Sequence, residues 1–167
     1  MVVWYEASKE VINIAQDLVE KYHQSLKDAR IGFVFRSEAQ YSGGMMVLGQ
    51  ASKVSDKLKP VLELDFLIWI AEDEFDRMDD ERKRALIDHE LTHCTVEDSV
   101  FKTRGHDVEE FHSIIQRYGT WSNTLVKAKD AMERAEQLYL NDLADGVIKA
   151  LDVSSDRKVQ LVMKSFT

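Results

Sequence analysis

The sequence is poor in the cysteines that crosslink small secreted domains and lacks the long apolar runs that mark membrane segments. It contains a single cysteine, Cys94, which excludes an internal disulfide framework and fits a reducing compartment. Its longest apolar runs, such as Leu67 to Ala71, are far shorter than the roughly 20 residues that span a bilayer. The N-terminus lacks a basic region followed by a long apolar stretch, so we expect no signal peptide. These absences predict a soluble protein of the cytoplasm.

Basic residues are also in short supply. The 22 lysines and arginines are outnumbered by 30 aspartates and glutamates, which gives a net charge of −8. Nucleic acid is therefore disfavoured as a partner, because phosphate binding requires an excess of positive charge. At 167 residues, with 44% hydrophobic residues and no internal repeat, the chain is about one domain long and can bury its own core. The oligomeric state is left open.

Hydrophobic periodicity predicts an α+β protein. Apolar residues at three- and four-residue spacing predict helices, and β-branched or apolar runs predict strands. The predicted helices cover residues 5–28, 80–95, 107–118 and 122–143, and the predicted strands cover residues 31–36, 45–51 and 64–71, with a turn at Gly43-Gly44. The third strand is predicted to be central because both of its faces are apolar. The last helix is expected to bury one stripe: Leu125, Ala128, Met132, Ala135 and Tyr139. The tail after Ser155 is compatible with a strand or a frayed end.

Residues 88–94 read Asp-His-Glu-Leu-Thr-His-Cys and carry the strongest chemical signal. On a helix, His89 and His93 lie one turn apart on the same face, so both imidazoles can bind one cation. Glu90 lies about 100° further around the axis, where it can reach a metal-held water without ligating the metal. Zinc fits this pattern because its tetrahedral shell accepts neutral imidazoles and leaves one position open.

The rest of this helix favours a metal site over a plain surface helix. The other interpretation is two histidines on a solvated face, next to a glutamate that merely favours helix. Against it, a second apolar stripe recurs at i, i+4 and i+7, formed by Ile87, Leu91 and Cys94. This predicts a helix buried on more than one side, and a buried histidine pair needs partners.

A third protein ligand is expected downstream of the histidine pair. His106 follows a glycine and precedes a predicted helix, so it can project from a loop-to-helix junction. Glu109 and Glu110 are the alternatives, because some zinc enzymes take a downstream glutamate as third ligand. His112 is predicted to point elsewhere on that helix, and His23 is predicted to be a surface histidine.

A family resemblance is carried by the histidine helix and its flanking segments. The helix follows Leu-Asp-Phe-Leu-Ile-Trp-Ile at residues 64–70 and Gly-Gln-Ala at residues 49–51, and it precedes Gly105-His106 and Phe111. This pattern resembles the SprT-like zincins and, more closely, the phage metallopeptidase family, which has an Asp-His-Glu-Leu-x-His helix followed by Gly-His-Asp-x-x-x-Phe. One position departs from the SprT-like pattern, in which the aromatic comes four residues after the histidine, whereas Phe111 comes five after it. The resemblance covers about residues 5–120.

The resemblance implies a fold, an activity and a set of site residues. The fold would be a minimal zincin: an N-terminal helix, a small mostly antiparallel sheet, the active-site helix and C-terminal helices. A single domain would cover residues 1–167, with a catalytic core at about 5–120 and a helical extension at 121–167. Zn²⁺ would be held by His89, His93 and His106, and Glu90 would be the general base of a peptidase that acts on a protein or peptide.

Two other functions are compatible with the same sequence. One is a zincin-fold binding module, with a structural metal or none, that sequesters a host protein. The other is a hydrolase of small amides, which would differ from a peptidase in the width of its pocket. Glu90 favours an enzyme, because a pure binding module has no chemical need for a general base. Tyr118 is a candidate for stabilising the oxyanion, set against a plain packing role.

Overall fold

The computed structural model describes the backbone of residues 1–164 and the side chains of residues 1–143. The chain divides into two compact units, residues 1–106 and the residues from 107 onward. The first unit contains β1 (Trp4–Glu6), α1 (Lys9–Tyr22), β2 (Ile31–Arg36), β3 (Gln40–Ser42), β4 (Met45–Val47), β5 (Gly49–Lys53), α2 (Lys59–Leu62), β6 (Phe66–Ala71), α3 (Glu72–Phe75), α4 (Asp80–His93), β7 (Cys94–Glu97) and β8 (Val100–Thr103). The second unit contains α5 (His112–Tyr118) and α6 (Asn123–Lys164). The predicted α+β class is confirmed.

A four-stranded sheet in the order β1-β2-β6-β5 forms the frame of the first unit. Strand β6 pairs parallel with β2 and antiparallel with β5, and β1 pairs antiparallel with β2, so the sheet is mostly antiparallel as predicted. Strand β6 is interior, because Phe66, Ile68 and Ile70 are fully buried on one face while Trp69 is 8% exposed on the other. Its apolar residues on both faces therefore fit its central position.

Helices α1 and α4 pack against one face of this sheet. Val11, Ala15 and Leu18 recur at helical spacing along α1 and are buried, as are Ile87 and Leu91 of α4. These five residues belong to one hydrophobic cluster with the inward side chains of β6. Burial of this apolar surface is the main contribution to the stability of the unit.

The N-terminal prediction needs correction. The helix predicted over residues 5–28 covers only Lys9–Tyr22, because residues 4–6 form β1 and a 3₁₀ turn covers Gln24–Leu26. Trp4 makes an edge-to-face contact with Trp69, at 5.9 Å between ring centroids, and this packing favours an extended conformation there. His23, predicted to be a surface histidine, is half-buried, and its Nε2 lies 2.6 Å from Asp88 Oδ1.

Short hairpins replace the single strand predicted over residues 45–51. The segment divides into β4, which pairs with β3, and β5, which joins the main sheet. The turn between β3 and β4 is at Gly43 and Gly44 as predicted, with φ of +57° and +79°. A second hairpin, β7–β8, has no counterpart among the predicted elements.

The two C-terminal helices have different boundaries from those predicted. The helix predicted over residues 107–118 begins at His112, because Phe111 still has extended backbone with φ of −73° and ψ of 131°. The helix predicted over residues 122–143 begins at Asn123 and continues to Lys164. As far as Lys164, the tail is therefore helical and is neither the strand nor the frayed end expected for it. Of its predicted buried stripe, Leu125 is buried, Ala128 is partly exposed, and the other three residues are exposed, so the prediction of burial was wrong for Met132, Ala135 and Tyr139.

Among the described residues, no helix has both the length and the apolar character that crossing a bilayer demands.

Candidate metal centre

The last two turns of α4 present the two histidines of the motif. The helix begins with Asp79 as N-cap, whose side chain accepts a hydrogen bond of 2.8 Å from the Arg82 backbone N–H. It ends at His93, because Cys94 already has extended backbone. His89 and His93 therefore share one face, and their Nε2 atoms lie 3.3 Å apart.

The β7–β8 hairpin returns the chain to this helix end and delivers His106. Phe101 on β8 meets the buried ring of Phe66 edge-on, at 5.7 Å between ring centroids. The Arg104 backbone N–H then donates to the His93 carbonyl at 2.8 Å. Two residues later, His106 Nε2 lies 3.2 Å from His89 Nε2. The hairpin thus brings His106 next to His89, a proximity that the spacing of the two residues in the sequence does not specify.

A hydrogen bond fixes the tautomer of His93. Its Nδ1 lies 2.7 Å from the Arg104 carbonyl oxygen, and because a carbonyl only accepts, Nδ1 carries the proton. In the neutral imidazole the lone pair is then on Nε2, the atom that lies beside the other two histidines. Backbone carbonyls commonly orient metal-binding histidines in this way.

The three imidazoles fit a zinc ion. Their ligand nitrogens all lie within 4.8 Å of one another, and no other group of three potential ligands is brought together among the described residues. Tetrahedral zinc with Zn–N distances of about 2.0–2.1 Å requires nitrogens about 3.3 Å apart. The two measured separations, 3.3 and 3.2 Å, match that spacing. Partial desolvation of the ring, together with His93 and His106, lowers the pKa of His89 and so favours the neutral imidazole that a metal needs.

Glu90 lies beside this cluster but is not part of it. The residue is 3% exposed, and Oε2 is buried with no hydrogen-bond partner among the described residues. Burial raises the pKa of Glu90 to about 7, although a backbone hydrogen bond from Ala51 and the nearby His106 both oppose that rise. An unpaired buried carboxylate oxygen is costly, and carboxyl groups with a pKa shifted in this way are concentrated at functional sites.

Strand β5 forms the wall against which the Glu90 carboxylate packs. A Cβ atom at Gly49 would lie 2.8 Å from Glu90 Oε1 and 3.0 Å from the Trp69 carbonyl oxygen, so this position has no room for a side chain. Two residues on, the Ala51 backbone donates to the same carboxylate. In the sequence, Gly49 and Ala51 stand out only as parts of a family resemblance, and no local pattern indicates their contact with Glu90.

The remaining candidates lie elsewhere. The metal-binding group among the described residues does not include Glu109 or Glu110. Glu110 instead accepts hydrogen bonds from the Phe111 backbone N–H at 2.9 Å and from Trp121 Nε1 at 3.1 Å. His112 is the first residue of α5. Tyr118 is 66% exposed, which excludes the packing role considered for it.

The histidines are less buried than predicted. His89 and His106 are exposed and His93 is partly exposed, whereas the apolar stripe of Ile87 and Leu91 is fully buried. The helix is therefore buried on the side of the core and open on the side of the histidines. An open side is what a substrate needs to reach the cluster.

A family model for proteins described as "Putative phage metallopeptidase" matches residues 3–135. The chain belongs to this family. The match extends further than the resemblance seen in the sequence, at about residues 5–120, and includes the first part of α6. Membership of the phage metallopeptidase family assigns the chain to enzymes that use a metal ion and act on a protein or peptide. No curated protein and no solved structure is significantly similar to the chain.

Proposed function

We propose that this family member is a zinc metallopeptidase in which His89, His93 and His106 hold the metal and Glu90 is the general base. The observation that carries the proposal is the convergence of three imidazole nitrogens beside a buried carboxylate with one unpaired oxygen. A structural metal site has no use for such a carboxylate. A hydrolytic site requires one within reach of the attacking water.

The protein's own residues account for the proton transfers. When bound, zinc would supply Lewis acidity that acidifies a water and polarises the scissile carbonyl. Glu90 accepts the proton of the attacking water on its carboxylate and delivers it to the nitrogen of the leaving amine. A pKa of about 7 suits both steps, because the carboxylate can take up and release the proton near neutral pH. Gly49 and Ala51 hold the carboxylate in place while this occurs.

The composition of the chain supports a proposal about its partners and its compartment. The net charge of −8 disfavours nucleic acid as a partner, and the single cysteine suits a reducing compartment such as the cytoplasm. Cys94 is itself a poor nucleophile, because burial and the neighbouring Glu90 raise the pKa of its thiol to about 12. The chemistry is therefore assigned to the histidine cluster and Glu90.

Substitution of Glu90 by Gln tests the proposal. The amide keeps the size of the side chain but cannot accept the proton, so zinc should bind as in the parent while hydrolysis falls by about 10²–10⁴-fold. The measurement combines zinc content with cleavage of a proteome-derived peptide library, read by mass spectrometry of new N-termini. As a matched control, Glu97→Gln changes an exposed glutamate on β7 and should leave both readings unchanged.

Two outcomes would contradict the proposal. Cleavage by the Glu90→Gln variant at the parental rate would show that Glu90 is not the general base. A zinc-loaded parent that cleaves no peptide would favour a binding module that acts on a host protein, or a hydrolase of small amides.

A further inference from the structure

Helix α6 carries an apolar stripe whose large residues beyond Leu125 are exposed. The helix is 42 residues long, and Leu125, Ala128, Met132, Ala135 and Tyr139 share one face of it because they recur at alternating three- and four-residue spacing. Leu125 is buried, but further along the stripe Met132 is 71% exposed and Tyr139 is 65% exposed. Helices of this kind owe most of their stability to the packing of their apolar face.

The stripe has the spacing of a coiled-coil seam. Two helices that supercoil around each other bury residues that repeat every 3.5 positions on average, alternating between sites called a and d. On α6 the a sites are Leu125, Met132 and Tyr139, and the d sites between them are Ala128 and Ala135. Within the stripe, the three large residues therefore occupy a sites and the two alanines occupy d sites.

This alternation of large and small residues favours one arrangement of two identical helices. Antiparallel helices pack a sites against d sites, so Met132 would meet the partner's Ala135 and Tyr139 would meet the partner's Ala128. Each layer then combines a large and a small side chain and fills the interface evenly. Parallel helices would instead pack Met132 on itself and Ala135 on itself, which alternates crowded layers with empty ones.

The charged residues beside the stripe are complementary in the same arrangement. In an antiparallel pair, the residue after each d site faces its equivalent on the other helix. Here these residues are Lys129 and Glu136, one of each sign, and the register that pairs Met132 with Ala135 also brings Lys129 opposite the partner's Glu136. The contact occurs twice by symmetry. The stripe is thus self-complementary in size and in charge.

We propose that residues 128–139 of α6 form an antiparallel two-helix contact with a second copy of the chain. The polar face of α6, which includes Lys127, Asp130, Arg134, Gln137 and Asn141, stays in solvent. This inference is independent of the metal centre, since it uses no residue of the first unit.

A concentration series in the analytical ultracentrifuge tests the contact. The full chain should form dimers, and Met132→Lys should weaken them by about tenfold or more, because each dimer would bury two lysines without a partner. Gln137→Lys places the same side chain on the opposite face and should change the dissociation constant by less than about twofold. Far-UV circular dichroism checks that both variants keep the parental helix content. A monomeric parent at all concentrations, or equal weakening by both substitutions, would overturn the proposal.

A charge reversal tests the antiparallel register. Lys129→Glu would place two glutamates opposite each other at both ends of the contact and should weaken the dimer several-fold. The double variant Lys129→Glu with Glu136→Lys should recover the parental affinity. Lys127→Glu, on the polar face, is the matched control and should have no effect. A dimer that is insensitive to Lys129→Glu, or that the double variant does not restore, would overturn the register proposed.

Discussion

At the scale of single residues, the site depends on one position that has no side chain. Gly49 leaves room for the Glu90 carboxylate, which a Cβ atom would approach to 2.8 Å. Such an approach is shorter than real contacts allow, and the same Cβ atom would lie 3.0 Å from the Trp69 carbonyl oxygen, a backbone atom that cannot rotate away. Gly49 is therefore a positioning residue for the proposed general base.

Gly49→Ala should separate hydrolysis from metal binding. The displaced carboxylate should lower the hydrolysis rate by about tenfold to a hundredfold, since misplacement of about 1 Å has that effect. Zinc affinity should stay at the parental value, because the histidines are untouched. Gly105→Ala is the control, because a Cβ atom there meets nothing within 4 Å although the next residue is His106. A fully active Gly49→Ala variant would contradict the role of this glycine.

Part of the site could be predicted from residue spacing alone. His89, Glu90 and His93 follow from helix geometry, which fixes the faces of residues one and four positions apart. His106 was a choice among three downstream candidates, because its position depends on a hairpin whose closure is not encoded in any spacing. The contact of Gly49 with Glu90 is long-range in sequence and has no local signal.

At the scale of elements, a buried carboxylate joins three parts of the first unit. Asp65, just before β6, accepts hydrogen bonds from the Arg30 backbone N–H at 3.0 Å and from Lys59 Nζ at 3.2 Å. Its own backbone N–H donates to the Arg30 carbonyl, and its carbonyl accepts from Val54. Asp65 thus fixes the beginnings of β2, α2 and β6 relative to one another.

Asp65→Asn should destabilise the protein in a pH-dependent manner. Burial raises the pKa of Asp65, but the hydrogen bonds from Arg30 and Lys59 outweigh it, and the net pKa lies below its ordinary value of 3.8. A carboxyl with a lowered pKa stabilises the fold above its ordinary pKa and loses that effect as pH falls through the lowered value. The deficit in unfolding free energy should be about 1–3 kcal/mol near pH 7. It should shrink below about pH 4.

Urea denaturation of parent and variant across pH measures this difference. Asp28→Asn, at an exposed aspartate, is the control and should show no comparable pH dependence. A deficit for Asp65→Asn that is the same at pH 3 and pH 7 would contradict the electrostatic account and leave only a packing effect.

Helices and strands could be predicted from the sequence where a local pattern of residues marks them. Strand β6 and helix α4 were predicted well, because their burial gives long apolar runs or stripes. The β7–β8 hairpin was missed because β7 follows α4 without an intervening turn residue. Its own turn, at Asp98 and Ser99 with φ of 49° and 63°, lacks the glycine that usually marks such a turn.

At the scale of the whole molecule, the family match and the proposed dimer contact overlap only in the first part of α6. The match over residues 3–135 contains the whole metal centre and ends within the stripe of α6. The first unit contains all the residues proposed for chemistry. The exposed stripe shows why burial was predicted wrongly for Met132 and Tyr139. Amphipathic periodicity indicates that a face is to be covered, but it does not say by which chain.

The central claim is that His89, His93 and His106 hold one zinc ion. Competition with a fluorescent chelator measures the zinc affinity of the parent and of His106→Ala, with Glu109→Ala, Glu110→Ala and His112→Ala as comparisons. We predict one zinc per parent chain and a loss of more than about a hundredfold in affinity for His106→Ala, beyond what removing a second-sphere partner causes. The three comparison variants should bind zinc like the parent. Parental affinity in His106→Ala, or a parent that takes up no zinc, would contradict the account.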